Sequence, residues 1–360
     1  MRKSLPEGGA DKMKAAVLRK LKEPLIIEDV PIPTISPKDV LMRVKQCGIC
    51  TTDIRMVNGV RPTGNLPFIV GHEGVGIVEE IGKEVTQFRK GDRVLMDPLM
   101  SCGMCVNCSF GRDNMCENRK MIGIDNGTQG VFAEYGVIPE RNLYKLPDEV
   151  SFTDGVFITS LLSTAFHGVR RVDFKASETA CIYGVGSIGT MIILALKALG
   201  ASQVIGVART EKTLENAEKF GPDYLINSGR EDPVKKIREL TGGKGVDVGF
   251  EVAGNPEAVL QALYSTRVGG RTCILGVPFY RTILDFKDDL GFFREICQKE
   301  ASIIVSYGYT RQEFPMMLNM VKKRLIDFSP CRTRVVSLKE VNEGIKLAEA
   351  GGYTRVLIEF

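Results

Sequence analysis

A chain of 360 residues is long enough for two domains with separate cores, and 44% hydrophobic with 26% charged residues is ordinary for a soluble globular protein. Its 48 basic and 44 acidic residues leave a formal net charge of +4, mixed along the chain, which gives no case for a nucleic-acid or membrane partner. No apolar run reaches the roughly 18 residues that a membrane span needs; Lys197 interrupts the longest candidate, residues 191–199.

Residues 1–14 are polar and have no apolar h-region, so they read as a short extension before a strand and not as a signal peptide. Up to about Lys145 the chain is rich in Gly and Pro. Short β-type runs, Val40-Leu41-Met42-Arg43-Val44-Lys45 and Gly76-Ile77-Val78-Glu79-Glu80-Ile81, are broken by Gly-Asp and Pro turns. A β-rich, barrel-like lobe is expected there. The same region carries Cys50-Thr51-Thr52-Asp53 and Gly71-His72-Glu73-Gly74. A thiolate and an imidazole are good zinc ligands, and nearby carboxylates orient or join them. Cys47, three before Cys50, is read as a small buried residue.

Next come Cys102, Cys105, Cys108 and Cys116, separated by two, two and seven residues. Two-residue gaps let a tight turn aim successive thiolates at one point, and four thiolates make a closed tetrahedral zinc site with no open position for chemistry. Gly103 and Gly111 supply backbone freedom for such turns. Disulfides are disfavoured, because cysteines at these spacings pair badly. Ten cysteines with metal-ligand spacing point to a reducing cytoplasm. Cys181, Cys273, Cys297 and Cys331 are scattered and are expected to be packing residues.

From Thr179 the texture changes to strand, glycine turn and helix, repeated. Strands are expected at 181–183, 204–207, 246–252 and 272–275, with helices at 187–199 and 211–220; this alternation implies a parallel sheet covered on both faces. Gly184-Val185-Gly186-Ser187-Ile188-Gly189 follows the first strand and opens the first helix. The first glycine permits the turn, the second lets backbone approach a pyrophosphate, and the third packs helix on strand, with unpaired N–H groups facing the phosphates. About 20 residues on, an acid normally accepts hydrogen bonds from the ribose of NAD. Here Ala208 and Arg209 occupy that place, so NADP is preferred over NAD, with Arg209 gripping the 2′-phosphate. The tail, from about Ile304, ends in the apolar strand Arg355-Val356-Leu357-Ile358 and is expected to return to the first lobe.

The motif Gly71-His72-Glu73-x2-Gly76-x5-Gly82, the four-cysteine lobe and the later glycine turn occur in the order found in zinc-dependent medium-chain alcohol dehydrogenases, which the chain resembles from Met13 to Phe360. The resemblance implies an α/β fold: a Rossmann doubly wound parallel sheet plus a β-rich GroES-like barrel catalytic domain. The implied limits are 1–167 for the catalytic domain (metal lobe about 98–120), 168–304 for the cofactor domain and 305–360 for the return. Family members place a catalytic zinc in the cleft between the two lobes. The resemblance also implies Cys50 and His72 as zinc ligands, Glu73 as an exchangeable ligand, Asp53 as partner of His72, and Thr52 as the hydroxyl that relays the substrate proton.

One departure stands out. Matching Thr164-Ala165-Phe166-His167-Gly168 to the family's segment puts Ser160 in the slot of a Cys, Asp or Glu ligand, and a neutral hydroxyl is a poor zinc ligand. Glu73 completing the site, a water bridging Ser160 to the metal, and weak zinc binding are the three readings. His167 is read as packed or cofactor-facing. The expected activity is interconversion of an alcohol, a secondary alcohol or polyol, with a ketone or aldehyde by a homodimer or homotetramer. The alternatives are a zinc-poor quinone or enoyl reductase and a non-catalytic NADP-binding protein.

Overall fold

The alternation in the first β-type run becomes the strand Asp39–Ile49 of a computed structural model, which describes residues 11–125, 128–276, 284–286, 288 and 290–360. Val40, Met42 and Val44 point into the core, while Arg43 turns outward to pair with Glu79 at 3.2 Å. The second run becomes Gly74–Ile81, antiparallel to the first. The expected extension at the N-terminus meets its strand at Lys12–Leu18; residues 1–10 lie outside the described residues.

The chain divides into two compact units: one holds the chain through Ser160 with Thr310–Lys323 and Cys331–Phe360, the other Leu161–Tyr309 with Arg324–Pro330. In the first, the main sheet runs Leu143–Lys145, Arg93–Met96, Gly74–Ile81, Asp39–Ile49, Arg355–Glu359 and Thr333–Ser337, with Tyr135–Pro139 also on Asp39–Ile49. The strand Arg355–Glu359 therefore lies inside this sheet, antiparallel to Asp39–Ile49 and parallel to Thr333–Ser337. A smaller sheet of Ile26–Pro31, Lys12–Leu18 and Phe68–Ile69 shares the same core. Phe132 is fully buried there, and burial of such a side chain contributes about 1.5–3 kcal/mol.

In the second unit six strands are parallel, in the order Tyr224–Asn227, Gln203–Ala208, Thr179–Tyr183, Val246–Glu251, Thr266–Ile274, Ser302–Val305. Chain order reverses between Thr179–Tyr183 and Val246–Glu251, which makes the carboxyl ends of those strands the topological switch point. Two helices start where an amide or carboxylate cap precedes proline. Asp232 accepts from Val234 and Lys235 ahead of Pro233–Leu240, and Asn255 accepts from Glu257 ahead of Pro256–Ser265.

The strand expected at 272–275 is longer, Thr266–Ile274, because its amino-terminal part carries glycines that hide the pattern. The helix expected at 211–220 ends at Glu218, just before Gly221 at φ +72°. Cys181 and Cys273 are buried packing residues and Cys331 is half-buried, but Cys297 is exposed, on a wide turn whose residues pack little. Among the described residues no helix is long and apolar enough to cross a membrane.

Candidate metal centres and cofactor turn

Cys50 follows the strand Asp39–Ile49 and caps the helix Thr51–Val57. Asp53, in that helix's first turn and fully buried, uses one carboxylate oxygen to accept the Cys50 N–H at 2.8 Å. Its other oxygen lies 3.1 Å from His72 Nδ1. The same side chain thus closes the helix end and orients the imidazole, leaving Nε2 for another partner. Burial opposes charge on His72, yet the adjacent Asp53 and Cys50 raise its pKa well above the ordinary value.

Glu73 is fully buried beside them. Its Oε1 accepts from Arg355 Nη2 at 3.0 Å, and its Oε2 has no hydrogen-bond partner. Gly48 makes the room: a Cβ there would stand 2.2 Å from Oε2. One ligand atom each from Cys50, His72 and Glu73 lies within 4.8 Å of the others. A soft thiolate, an imidazole and an orphaned carboxylate oxygen are a donor set that fits zinc. Thr52 is half-buried and sits between Cys50 and Asp53 on the helix's first turn. Ser160 is half-buried in the wide helical turn Ile158–Leu162. Cys47 is buried outside the cluster, and burial pushes its thiol well up, so it behaves as an inert packing residue.

The four lobe cysteines converge as well. Cys105 and Cys108 sulfurs stand 3.5 Å apart and Cys102 and Cys108 sulfurs 4.0 Å apart. Tetrahedral zinc–thiolate bonds imply a sulfur spacing of about 3.8 Å. Backbone N–H groups of Met104 and Cys105 lower the Cys102 thiol to about 6, while burial raises Cys108 to about 12. Four sulfurs this close share protons unevenly unless a cation neutralises them. Met104, Val106, Phe110 and Met115 are exposed, so the lobe builds almost no apolar core. Asp113, three before Cys116, ties the lobe to the returning chain by accepting the Arg311 N–H at 2.7 Å.

The glycine turn follows Thr179–Tyr183 and opens the helix Ser187–Ala198. Gly184 has φ +103°, and a Cβ on Gly189 would stand 2.1 Å from the Gly184 carbonyl oxygen. A Cβ on Gly186 would meet nothing within 4 Å, so that edge is open for a pyrophosphate, with Ser187, Ile188 and Gly189 in the helix's first turn. Ala208 ends the next strand, and Arg209 follows it, exposed.

Residues 36–148 match the Alcohol dehydrogenase GroES-like domain, and residues 187–323 match the Zinc-binding dehydrogenase family. An L-threonine 3-dehydrogenase of Bacillus velezensis is 32% identical over 351 residues, which cover 96% of this chain and 99% of that protein. The chain belongs to the zinc-type medium-chain alcohol dehydrogenases. A sorbitol dehydrogenase of Bacillus subtilis is 36% identical to this dehydrogenase over 340 residues, 93% of each chain. A solved zinc-binding dehydrogenase of Sinorhizobium meliloti, bound to NADP, matches it with a TM-score of 0.89 at 30% identity, over 97% of this chain and 100% of that one.

As a member of that family this dehydrogenase is an NAD(P)-dependent oxidoreductase built on a GroES-like part and a Rossmann-type part. Sequence reasoning missed Arg355. Its signal was an arginine opening an otherwise apolar, buried strand, where a charge needs a buried partner. His167 is buried in the helix Ser163–Arg171 and is not part of either ligand cluster.

Proposed function

We propose that this dehydrogenase is zinc-dependent and NADP(H)-preferring, and interconverts a secondary alcohol or polyol with its ketone or aldehyde. The observation that carries the reading is the convergence of Cys50, His72 and Glu73, with Asp53 holding the far side of the imidazole. Zinc, when bound, supplies a Lewis acid that polarises the substrate oxygen and makes its hydroxyl proton easier to lose. Cys50 and His72 hold the metal. Glu73, kept near by Arg355, completes the donor set where Ser160 offers only a neutral hydroxyl. Thr52 takes the hydroxyl proton and passes it outward; a nicotinamide cofactor held at the glycine turn would supply the hydride acceptor.

Gly186 lets the pyrophosphate approach the turn that Gly184 and Gly189 shape, and Arg209, following Ala208, favours the 2′-phosphate of NADP. Threonine and sorbitol, in the names of two relatives, both carry secondary hydroxyl groups, which supports that substrate class. Ten cysteines, all free among the described residues, fit a reducing cytoplasm, and a homodimer or homotetramer fits the same reading. The metal-binding and cofactor-binding parts divide near residues 160–167 and again near 304–310. The test is metal analysis per chain with turnover on secondary alcohols using NADP and NAD. Two zinc ions per chain, activity lost in Thr52→Val and faster turnover with NADP support the reading. One zinc per chain, with carbonyl reduction indifferent to Thr52, overturns it. Ser160→Asp is expected to slow loss of the second zinc to a mild chelator.

A further inference from the structure

Cofactor choice in this fold is read where the second strand of the parallel sheet ends, and Arg209 is the residue that the sequence offers there. Three further side chains converge on the same edge. Glu211, the first residue of the helix Glu211–Glu218, pairs through Oε1 with Arg230 Nη1 at 2.7 Å and accepts Asn227 Nδ2 at 2.7 Å. Asn227 Oδ1 in turn accepts the Gly229 N–H at 2.9 Å, and Ser228 N–H donates to the Ala208 carbonyl at 2.9 Å. Gly229 lies so close that a Cβ would stand 3.1 Å from the Arg209 carbonyl oxygen. The turn that carries Arg230 is thereby pinned against the residue expected to grip the phosphate.

We propose that Arg230 is the second cation of the 2′-phosphate subsite, and that Glu211 is the carboxylate that holds it in place and limits how strongly NADP is preferred. The inference rests on the NADP reading above and adds residues to it. A phosphate dianion beside Arg209 attracts the Arg230 guanidinium, whose planar fork suits two phosphate oxygens. Glu211 competes for the same guanidinium and repels the incoming dianion. Arg209 and Arg230 against Glu211 leave one net positive charge at this edge. Arg230 and Glu211 are 72% and 45% exposed, so exchanging one partner for another is not opposed by burial.

The test is calorimetric binding of 2′,5′-ADP and of 5′-AMP, which differ only in the 2′-phosphate, to the intact protein. Arg230→Ala is expected to weaken 2′,5′-ADP by about three- to tenfold, the scale of one exposed charge-assisted contact, and to leave 5′-AMP unchanged. Glu211→Gln keeps an acceptor for Asn227 but removes the charge, and is expected to tighten 2′,5′-ADP by a few-fold, again without effect on 5′-AMP. Arg230→Lys should lie between wild type and Arg230→Ala. If the wild type binds the two ligands equally, the NADP reading itself falls and takes this proposal with it. If Arg209→Ala abolishes the 2′-phosphate advantage while Arg230→Ala and Glu211→Gln leave it intact, only this proposal is overturned. Tighter 5′-AMP binding without Glu211, with 2′,5′-ADP unmoved, would also overturn it.

Discussion

The two ligand clusters of the first unit are built in opposite ways. The four-thiolate cage draws all its donors from Cys102 to Cys116, on a lobe of short turns that leaves Met104 and Phe110 in solvent. The Cys50, His72 and Glu73 centre takes its donors from two separated stretches and its electrostatic balance from a third, Arg355, all held by one sheet. In the first case the donors lie along one short stretch with little core beneath them; in the second the folded sheet organises the donors. Local spacing suffices for a structural ion, whereas a reactive one needs a frame that stays in place when a donor lets go.

That contrast is breakable by substitution. Cys105→Ser removes a cage donor where nothing else holds the lobe, and loss of this metal site is expected to cost on the order of 4–5 kcal/mol. Metal analysis should fall by one zinc per chain, and limited proteolysis should cut between residues 100 and 120; unchanged melting and metal content would refute the cage's organising role. Arg355→Ala leaves the Glu73 carboxylate buried without its partner and is expected to cost about 3–5 kcal/mol by denaturant unfolding. A partial recovery in the double variant Arg355→Met with Glu73→Gln would locate that loss in the uncompensated charge.

Asp53→Asn keeps the helix cap but weakens the hold on His72 Nδ1. A tenfold to hundredfold drop in affinity for one of the two metals is expected, about 1.4–2.7 kcal/mol, with the cage metal retained through dialysis against a mild chelator. Loss of both metals at equal rates would erase the difference between the centres.

The smallest effect belongs to the second unit. Burial works against the Asp247 carboxylate, but the Thr179 N–H, Arg267 and the Thr179 hydroxyl together hold its pKa below the ordinary value. A depressed acid contributes stability above its unfolded pKa and loses it as pH falls through the folded one. Asp247→Asn should therefore cost about 1 kcal/mol at pH 7, with the gap to wild type closing below about pH 4. A gap that is constant with pH would assign the loss to packing alone.

How much was legible in the sequence follows the same division. The cage, the glycine turn and the Ala208-Arg209 strand end were readable because each lies within a few residues and its spacing is its geometry. Cys50 and His72 were readable as candidate donors, with Glu73 beside them, and the structure brings the three together. Arg355 was not, since 282 residues separate it from Glu73 and only strand pairing joins them. The Glu211–Arg230 pair was hidden for the same reason: it bridges the ends of two neighbouring parallel strands. Cys297 looked like a packing residue because sequence gives no measure of how loosely its turn sits.

The place of Arg355–Glu359 inside the first sheet, beside Asp39–Ile49, has a consequence for how the protein is made. At the usual 5–20 residues per second, translation needs roughly 15–60 s to travel from Glu73 to Arg355. Throughout that interval the sheet lacks an interior strand and Glu73 lacks its counter-charge, and the parallel-sheet unit is synthesised before either arrives. The first unit therefore cannot complete its sheet until a strand that follows the cofactor-binding segment out of the ribosome has been made.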